Sequence, residues 1–246
     1  MMGNTQTILV LGASGMLGNA ILRFFADADG YVVKGTVRSK STIRLFPEHL
    51  RNSIVSGLEV ENTESIASLI DSVCPDVVIN CIGLVKQLST SNDPLVALPI
   101  NALFPHRLAQ ICANSNVRLI HMSTDCVFTG NTGFYNELDI TDSIDLYGVS
   151  KRLGEVDYSN AITLRTSIIG HELIGHRSLI DWFLSQTEAV RGFTQAIFSG
   201  LPTVEIAKLI RDFVIPNPDL TGVYHVSAEP ISKHELLCLV ADIYGK

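Results

Sequence analysis

Tyr147 and Lys151 stand four residues apart in the stretch Asp145-Leu-Tyr-Gly-Val-Ser-Lys-Arg-Leu-Gly-Glu155. In a helix that spacing places both side chains on one face. A phenol is a poor acid at neutral pH, with an unperturbed pKa of about 10. An ammonium beside it stabilises the phenolate and lowers that value. A tyrosine tuned this way can hand a proton to a carbonyl oxygen while the carbonyl carbon is reduced. Thr124 ends another stretch, Arg118-Leu-Ile-His-Met-Ser-Thr124, in which residues 118–122 read as a strand. Ligands of open α/β sheets bind at the carboxyl ends of strands. The Thr124 hydroxyl is therefore placed to hydrogen-bond and orient the same oxygen. A core tyrosine beside a surface lysine is the plain alternative. The chemistry depends on elements that bring the three residues to one place.

The element that organises them lies near the start, Ile8-Leu-Val-Leu-Gly12-Ala-Ser14-Gly15-Met-Leu-Gly18. Residues 8–11 read as a buried parallel strand. Leu17, Ile21 and Phe24 or Phe25 then recur at helical spacing. A strand that turns sharply into a helix aims free N–H groups and the positive helix end at one point, which suits a phosphate. Gly12 permits the tight turn, Gly15 lets the backbone approach a ligand, and Gly18 lets helix and strand pack closely. Gly12, Ser14, Gly15, Met16, Leu17 and Gly18 are thus candidate dinucleotide contacts. The strand–turn–helix context favours this over a ligand-free glycine connection.

Strands and helices alternate along the rest of the chain, which predicts a parallel sheet with helices on both faces. Residues 31–37 form the second strand. The residue near its end, roughly twenty past the glycines, selects the cofactor. No Asp or Glu occurs between Tyr31 and Pro47 to bind the ribose hydroxyls of NAD. Arg38, with Ser39 and Lys40, can instead bind the 2′-phosphate of NADP(H). Further strands are expected at 53–55, 77–83 with its exit loop, and 161–165. A helix is expected over 62–73, capped by Asn62 or Thr63. A long helix over 94–114 should kink or break near Asn101, because Pro105 lies within it. Gly83 keeps the exit of the fourth strand open for a flat ligand, beside Cys81 and Ile82. Lys86 and Gln87 lie just beyond, where a substrate would approach. Residues 167–202 are irregular around a helix at 178–187. Arg191 there can pair with a pyrophosphate, although a solvent-facing arginine is the plainer reading. Thr203 and Ser232 read as caps of helices over 203–214 and from 233 onward.

At 246 residues, the chain is one large α/β domain, or one with a small appended lobe. A net charge of −7 argues against nucleic acid or an anionic membrane as partner. No apolar stretch approaches the roughly 18 residues of a membrane span. Residues 1–6 lack a basic region, so no signal peptide is visible and a cytoplasmic location is expected. The cysteines at 74, 81, 112, 126 and 238 form no C-x-x-C pair or cluster with histidine, which predicts no metal site. They read as small buried hydrophobes in a reducing compartment.

The G-x-x-G-x-x-G spacing, Thr124 and the Tyr147/Lys151 pair resemble, in order and spacing, the short-chain dehydrogenase/reductase superfamily through nearly the whole chain. Within its extended branch the sequence is similar to the dTDP-4-dehydrorhamnose reductase (RmlD-like) family. The residues carrying this are His121-Met-Ser-Thr-Asp-Cys-Val-Phe-Thr-Gly130, Tyr147-Gly-Val-Ser-Lys-Arg-Leu-Gly-Glu155, Leu164-Arg-Thr-Ser167 and Ser199-Gly-Leu-Pro-Thr203. The resemblance implies a Rossmann-type doubly wound parallel sheet with a small C-terminal substrate lobe. Residues 1–166 would bind the cofactor. Residues 167–246 would form the lobe, interleaved with the sheet and continued in family members by some tens of further residues. It implies NADPH- or NADH-dependent reduction of the C4 ketone of a nucleotide-linked 6-deoxysugar, as in dTDP-L-rhamnose or related deoxysugar biosynthesis for surface polysaccharide. Thr124, Tyr147 and Lys151 would be the catalytic trio, with Lys151 also holding the nicotinamide ribose and Leu58 near the adenine. Lys86, Thr124 and Arg191 would face the sugar nucleotide. Such reductases are often dimers.

Two departures matter. The run Asn80-Cys-Ile-Gly83 replaces the alanines that family members carry after that asparagine, and Cys126 replaces a frequent tyrosine. Related dehydratases carry a glutamate at the Cys126 position, and a thiol is a poor substitute, which argues against dehydration. Two readings stand beside the reductase. One is a nucleotide-sugar epimerase, which oxidises and re-reduces its cofactor within one turnover. The other is a non-catalytic NADP-binding regulatory subunit, since the regulatory subunit of methionine adenosyltransferase resembles this family. A complete trio favours the reductase.

Overall fold

A computed structural model describes residues 5–86 and 89–246. Seven strands form the main sheet: β1 (Gln6–Leu11), β2 (Tyr31–Val37), β3 (Ile54–Ser56), β4 (Val77–Asn80), β5 (Arg118–Thr124), β6 (Ala161–Thr166) and β7 (Gly222–Val226). Their order is β7-β6-β5-β4-β1-β2-β3, and every pairing is parallel. The fold is the expected doubly wound α/β sheet. Strand order reverses direction between β1 and β4, and the carboxyl ends of the strands open into a crevice there. Leu11 lies beside Asn80, Asn80 beside His121, and Thr124 beside Thr166, so the ends that carry chemistry share one edge of the sheet.

The helices are α1 (Met16–Ala26), α2 (Thr63–Val73), a composite α3 running from Pro94 to Asn114, α4 (Leu146–Leu153), α5 (Leu179–Ser185), α6 (Thr203–Leu209) and α7 (Lys233–Tyr244). Alternate strand residues go to opposite faces. Ile8, Val10, Ile79, Ile120 and Met122 pack with Leu17 and Ile21 of α1 and Ile206 and Ala207 of α6. Leu9, Leu11, Val78 and Leu119 pack with Ile66 and Ile70 of α2 and Phe104 and Leu108 of α3. A small separate cluster joins Ile180 and Phe183 of α5 to Leu237 and Val240 of α7.

The segment after β6 is therefore divided. Its α5 and α7 form the satellite cluster, while α6 and β7 return to the main layers. Two short strand pairs stitch the divided parts, Ile168–Ile169 with Leu201–Pro202 and Ile197–Phe198 with Ile231–Ser232.

The break expected near Asn101 is present. α3 consists of Pro94–Ala97, a π-helical segment Leu98–Leu103, and Phe104–Asn114. Pro105 cannot donate to the preceding turn, and the wider π turn absorbs the mismatch at that point. Asn62 caps α2, accepting from Ser65 N at 3.0 Å. Ser232 caps α7 in a reciprocal box with Glu235. Thr203 is not a cap. Pro202 holds that position and Thr203 is the first helical residue. Its hydroxyl is turned onto Gly170, where a Cβ would lie 2.6 Å from Oγ1.

The cysteines also differ from expectation. Cys112 alone is fully buried, Cys81 and Cys126 are partly so, and Cys74 and Cys238 are exposed. The last two sit at a helix end and on the outer side of α7, where no core reaches them. No helix among the described residues is long and apolar enough to cross a membrane, and no cluster of metal-ligating side chains occurs among them.

Candidate active site

The turn after β1 leaves little room for any side chain. Gly12 has φ of +82°, a region L-residues rarely adopt. A Cβ on Gly18 would lie 2.3 Å from the Gly12 carbonyl oxygen, so α1 can approach β1 only with glycine there. Gly15 stands at the N-cap of α1 and provides no side chain to the first turn. The helix N–H groups there are left to a ligand. Gly12 N is held by the buried Thr36 hydroxyl at 3.2 Å.

A cavity of about 490 Å³ opens over this turn. Among its walls are Gly12, Ser14, Gly15, Thr36 and Arg38 from the β1–β2 side and Cys81, Ile82, Gly83 and Ile100 from the β4–α3 side. Leu58, Glu59, Val60 and Glu61 close it beyond β3. Glycine walls, a free helix N-terminus, an arginine and an apolar slot fit the diphosphate, ribose and base of a dinucleotide. Of the expected contacts, Met16, Leu17, Gly18, Ser39, Tyr147 and Lys151 do not line the cavity. Leu17 is buried in the core, Gly18 lies beneath Gly12, and the Ser39 hydroxyl pairs with Ser41 at 2.8 Å. Thr36, Glu59, Glu61 and Ile100 line it without having been expected as contacts. The two glutamates arrive from the exit of β3, beyond the stretch in which an acid was sought.

The trio converges at the ends of β5 and α4. Thr124 is buried, its Oγ1 accepting from Cys126 N and donating to Asp125 Oδ1, both at 3.1 Å. Asp145 caps α4 through Gly148 N at 2.8 Å, and its other oxygen accepts from Lys86 Nζ at 2.8 Å. Any Cβ on Gly148 would lie 2.3 Å from the Cys126 carbonyl oxygen. Glycine there lets α4 sit directly on the loop after Thr124, which brings the Tyr147 phenol near enough for Thr124 to act on its proton affinity.

The electrostatics depart from the sequence expectation. Burial pushes the Tyr147 phenol well above its usual range, with Cys126, Asp125 and Asp145 adding to the effect and Thr124 opposing it. Lys151 is not among the largest influences on the phenol, and its Nζ donates to the Met122 carbonyl at 2.8 Å. Burial pushes Lys151 down to about 8, while Glu155 and Cys81 hold it up. A Cβ on Gly83 would stand in ordinary contact with Nζ at 3.6 Å, so the buried ammonium lies behind Gly83, one of the cavity's walls.

A layer of amides keys these pieces together. Asn101, in the π segment, accepts from Leu84 N at 2.9 Å and donates to Ser150 Oγ at 3.1 Å. Ser150 Oγ in turn donates to the Tyr147 carbonyl at 2.8 Å. Asn80 Oδ1 accepts from Ile82 N at 3.1 Å, so its amide nitrogen must be the donor to His121 Nδ1, also at 3.1 Å. His121 therefore carries its proton on Nε2, and burial beside Lys151 keeps the ring neutral.

Of the expected substrate contacts, Lys86 reaches this site through Asp145, and Gln87 lies outside the described residues. Arg191 is exposed, next to Gly192, which packs on His234 of α7. Among the described residues no hydrogen bond or ion pair ties Arg191 to the trio. Asn101 and Glu155 were legible only as a break point and a motif letter, since their partners are distant in sequence.

The family model for the RmlD substrate binding domain matches residues 6–246. The probable low-salt glycan biosynthesis reductase Agl14 of Haloferax volcanii is 28% identical over 231 residues, which is 89% of this chain and 74% of that protein. The methionine adenosyltransferase 2 subunit beta of Xenopus laevis is 24% identical over 262 residues, 98% of this chain and 73% of that protein. The crystal structure of dTDP-4-dehydrorhamnose reductase from Bacillus anthracis in complex with NADP has the same fold. It is 19% identical with a TM-score of 0.76, and the match covers 98% of this chain and 81% of that one. With the glycine turn, the seven-stranded sheet and the Thr124/Tyr147/Lys151 cluster in place, this chain belongs to the RmlD-like family of extended short-chain dehydrogenases/reductases.

Proposed function

We propose that the chain is an NADPH-dependent reductase of the 4-keto group of a nucleotide-linked 6-deoxysugar. The observation that carries this is the convergence of Thr124, Tyr147 and Lys151 beside a glycine-walled cavity. The turn at Gly12, Ser14 and Gly15 would hold the diphosphate, Arg38 the 2′-phosphate, and Leu58 the adenine. Lys151, behind Gly83 at the cavity wall, would hold the ribose. NADPH held there would supply hydride to the sugar carbonyl carbon. Thr124 donates a hydrogen bond to the carbonyl oxygen and orients it. Tyr147, kept protonated by its burial, gives that oxygen its proton. The buried ammonium of Lys151 is the charge that meets the phenolate left behind. Lys86 at the mouth of the site, and Arg191 if the lobe turns it inward, offer cations to the substrate diphosphate.

The likeness to a methionine adenosyltransferase subunit supports a second reading, dinucleotide binding without turnover. A panel of dTDP-, UDP- and GDP-linked 4-keto-6-deoxysugars, incubated with NADPH and the protein, separates the readings. Stoichiometric NADPH oxidation with one sugar supports the reductase. Isomerisation with no net oxidation supports an epimerase. Tight NADPH binding with no reaction across the panel favours the subunit.

A further inference from the structure

Two segments meet next to the trio. One is the loop leaving β4, which runs past Gly83 of the cavity wall and reaches Lys86 three residues later. The other ends at Asp145, the N-cap of α4, two residues before Tyr147. An ion pair joins them, Lys86 Nζ to Asp145 Oδ2 at 2.8 Å. The backbone on both sides of it is fixed. Leu84 N donates to Asn101 Oδ1 at 2.9 Å, and the Lys86 carbonyl accepts from Oγ of the buried Ser91 at 3.1 Å. Across the pair, Asp145 Oδ1 accepts from Gly148 N at 2.8 Å. The Lys86 side chain can therefore swing while the loop beneath it stays in place.

The two halves of this pair are not held equally. Their side chains are 55% and 44% exposed, and an ion pair so open to water contributes little. Asp145 keeps other partners if Lys86 leaves. One of its oxygens stays on Gly148 N, and the carboxylate stands at the positive end of α4. Lys86 Nζ makes no second hydrogen bond among the described residues, although an ammonium has further donors to give. A phosphate brings more charge and more acceptor oxygens than one carboxylate oxygen. It can take the ammonium from Asp145 at small cost, and the helix cap survives the exchange.

We propose that Asp145 is a stand-in anion, holding Lys86 until the phosphate of a nucleoside diphosphate ligand displaces it. Asp145 is then a positioning residue that acts through Lys86 and sets the affinity for phosphate-bearing ligands. The proposal rests on the reading of Lys86 as a substrate contact. It differs from a general charge effect in one respect. A carboxylate near an anion site weakens anion binding from a distance, with or without a lysine. A carboxylate that must be displaced weakens it only while Lys86 is there to be held.

The test is a double-mutant cycle on the full chain in saturating NADPH, read by calorimetric titration with UDP, dTDP and GDP, each beside its own nucleoside. Asp145→Asn keeps a capping oxygen and removes the charge. It should tighten the diphosphate that binds by about fivefold, the upper worth of an exposed pair, and leave the nucleoside unchanged. Lys86→Met should weaken the diphosphate. In the Lys86→Met background, Asp145→Asn should alter its affinity by less than about twofold, because the partner it released is gone. Should Asp145→Asn fail to fold, Asp145→Ser decides, since serine also caps a helix and carries no charge. The proposal is overturned by no gain from the uncharged variant, by an equal gain with and without Lys86, or by a gain as large for the nucleoside. It is overturned as well if no diphosphate binds parent or variant. Turnover is not read, so absence of NADPH oxidation across the sugar panel would count against the reductase reading alone.

Discussion

At the scale of single residues, Arg38 is the side chain on the cavity wall that can recognise a 2′-phosphate, but it shares that wall with Glu59 and Glu61. NADPH should bind more tightly than NADH, and Arg38→Ala should narrow the gap by about 1.5–3 kcal/mol, the range for a hydrogen bond to a charged group. Isothermal titration with both cofactors measures this. Equal affinities in the parent would mean that the glutamates cancel the arginine. Lys151 makes a second residue-level prediction, about pH. Its folded midpoint of about 8 lies below the ordinary lysine value of 10.5. The ammonium is therefore fully present below about pH 7 and is lost as pH rises through 8. Cofactor affinity and turnover should be flat on the acid side and fall above pH 8, by about tenfold per unit once the lysine is neutral. A pH–rate profile flat from 7 to 10 would show that the charge is not used.

At the scale of elements, the sequence was most informative where local rules decide. Gly12, Gly15 and Gly18 specify a turn that needs no distant partner, and Asn62 and Ser232 specify caps within one helical turn. Pro105 located the irregular turn of α3, because a missing N–H is a local fact. Where pairing is long-range the residues were silent. Asn80 meets His121 across 41 positions and Asn101 meets Ser150 across 49, and no spacing encodes either. The sign of the Tyr147 effect failed for a related reason. Helical spacing placed Lys151 on the right face, but burial, which spacing does not encode, governs the phenol. The glycine turn makes its own prediction. Gly18→Ala sets a methyl against the Gly12 carbonyl, and neither backbone segment can yield freely. Overpacking should cost about 1–3 kcal/mol, read as a lower midpoint in urea unfolding, and should weaken NADPH binding even where the fold survives. An alanine variant with parental stability and affinity would show that α1 and β1 are not in close contact.

At the scale of the whole molecule, the chain leaves the sheet after β6, builds the α5–α7 cluster, and returns to lay β7 beside β6. Interleaving of this segment with the sheet was expected, but the strand at 222–226 was not. Gly222-Val-Tyr-His-Val226 lacks the continuous apolar run of an inner strand, because it is an edge strand with one neighbour. The reactive groups of the site come from β5 and α4. The central claim is that this assembly reduces a ketone with Tyr147 as the proton donor. Tyr147→Phe removes one oxygen and little volume, so folding and cofactor affinity should persist. The most direct measurement is NADPH oxidation with a cognate 4-keto sugar by the parent and by Tyr147→Phe, alongside NADPH titration of both. The account predicts equal NADPH affinity and a loss of turnover of about 10²–10⁴-fold in the variant, the usual worth of a positioned general acid. Turnover in Tyr147→Phe equal to that of the parent would contradict it.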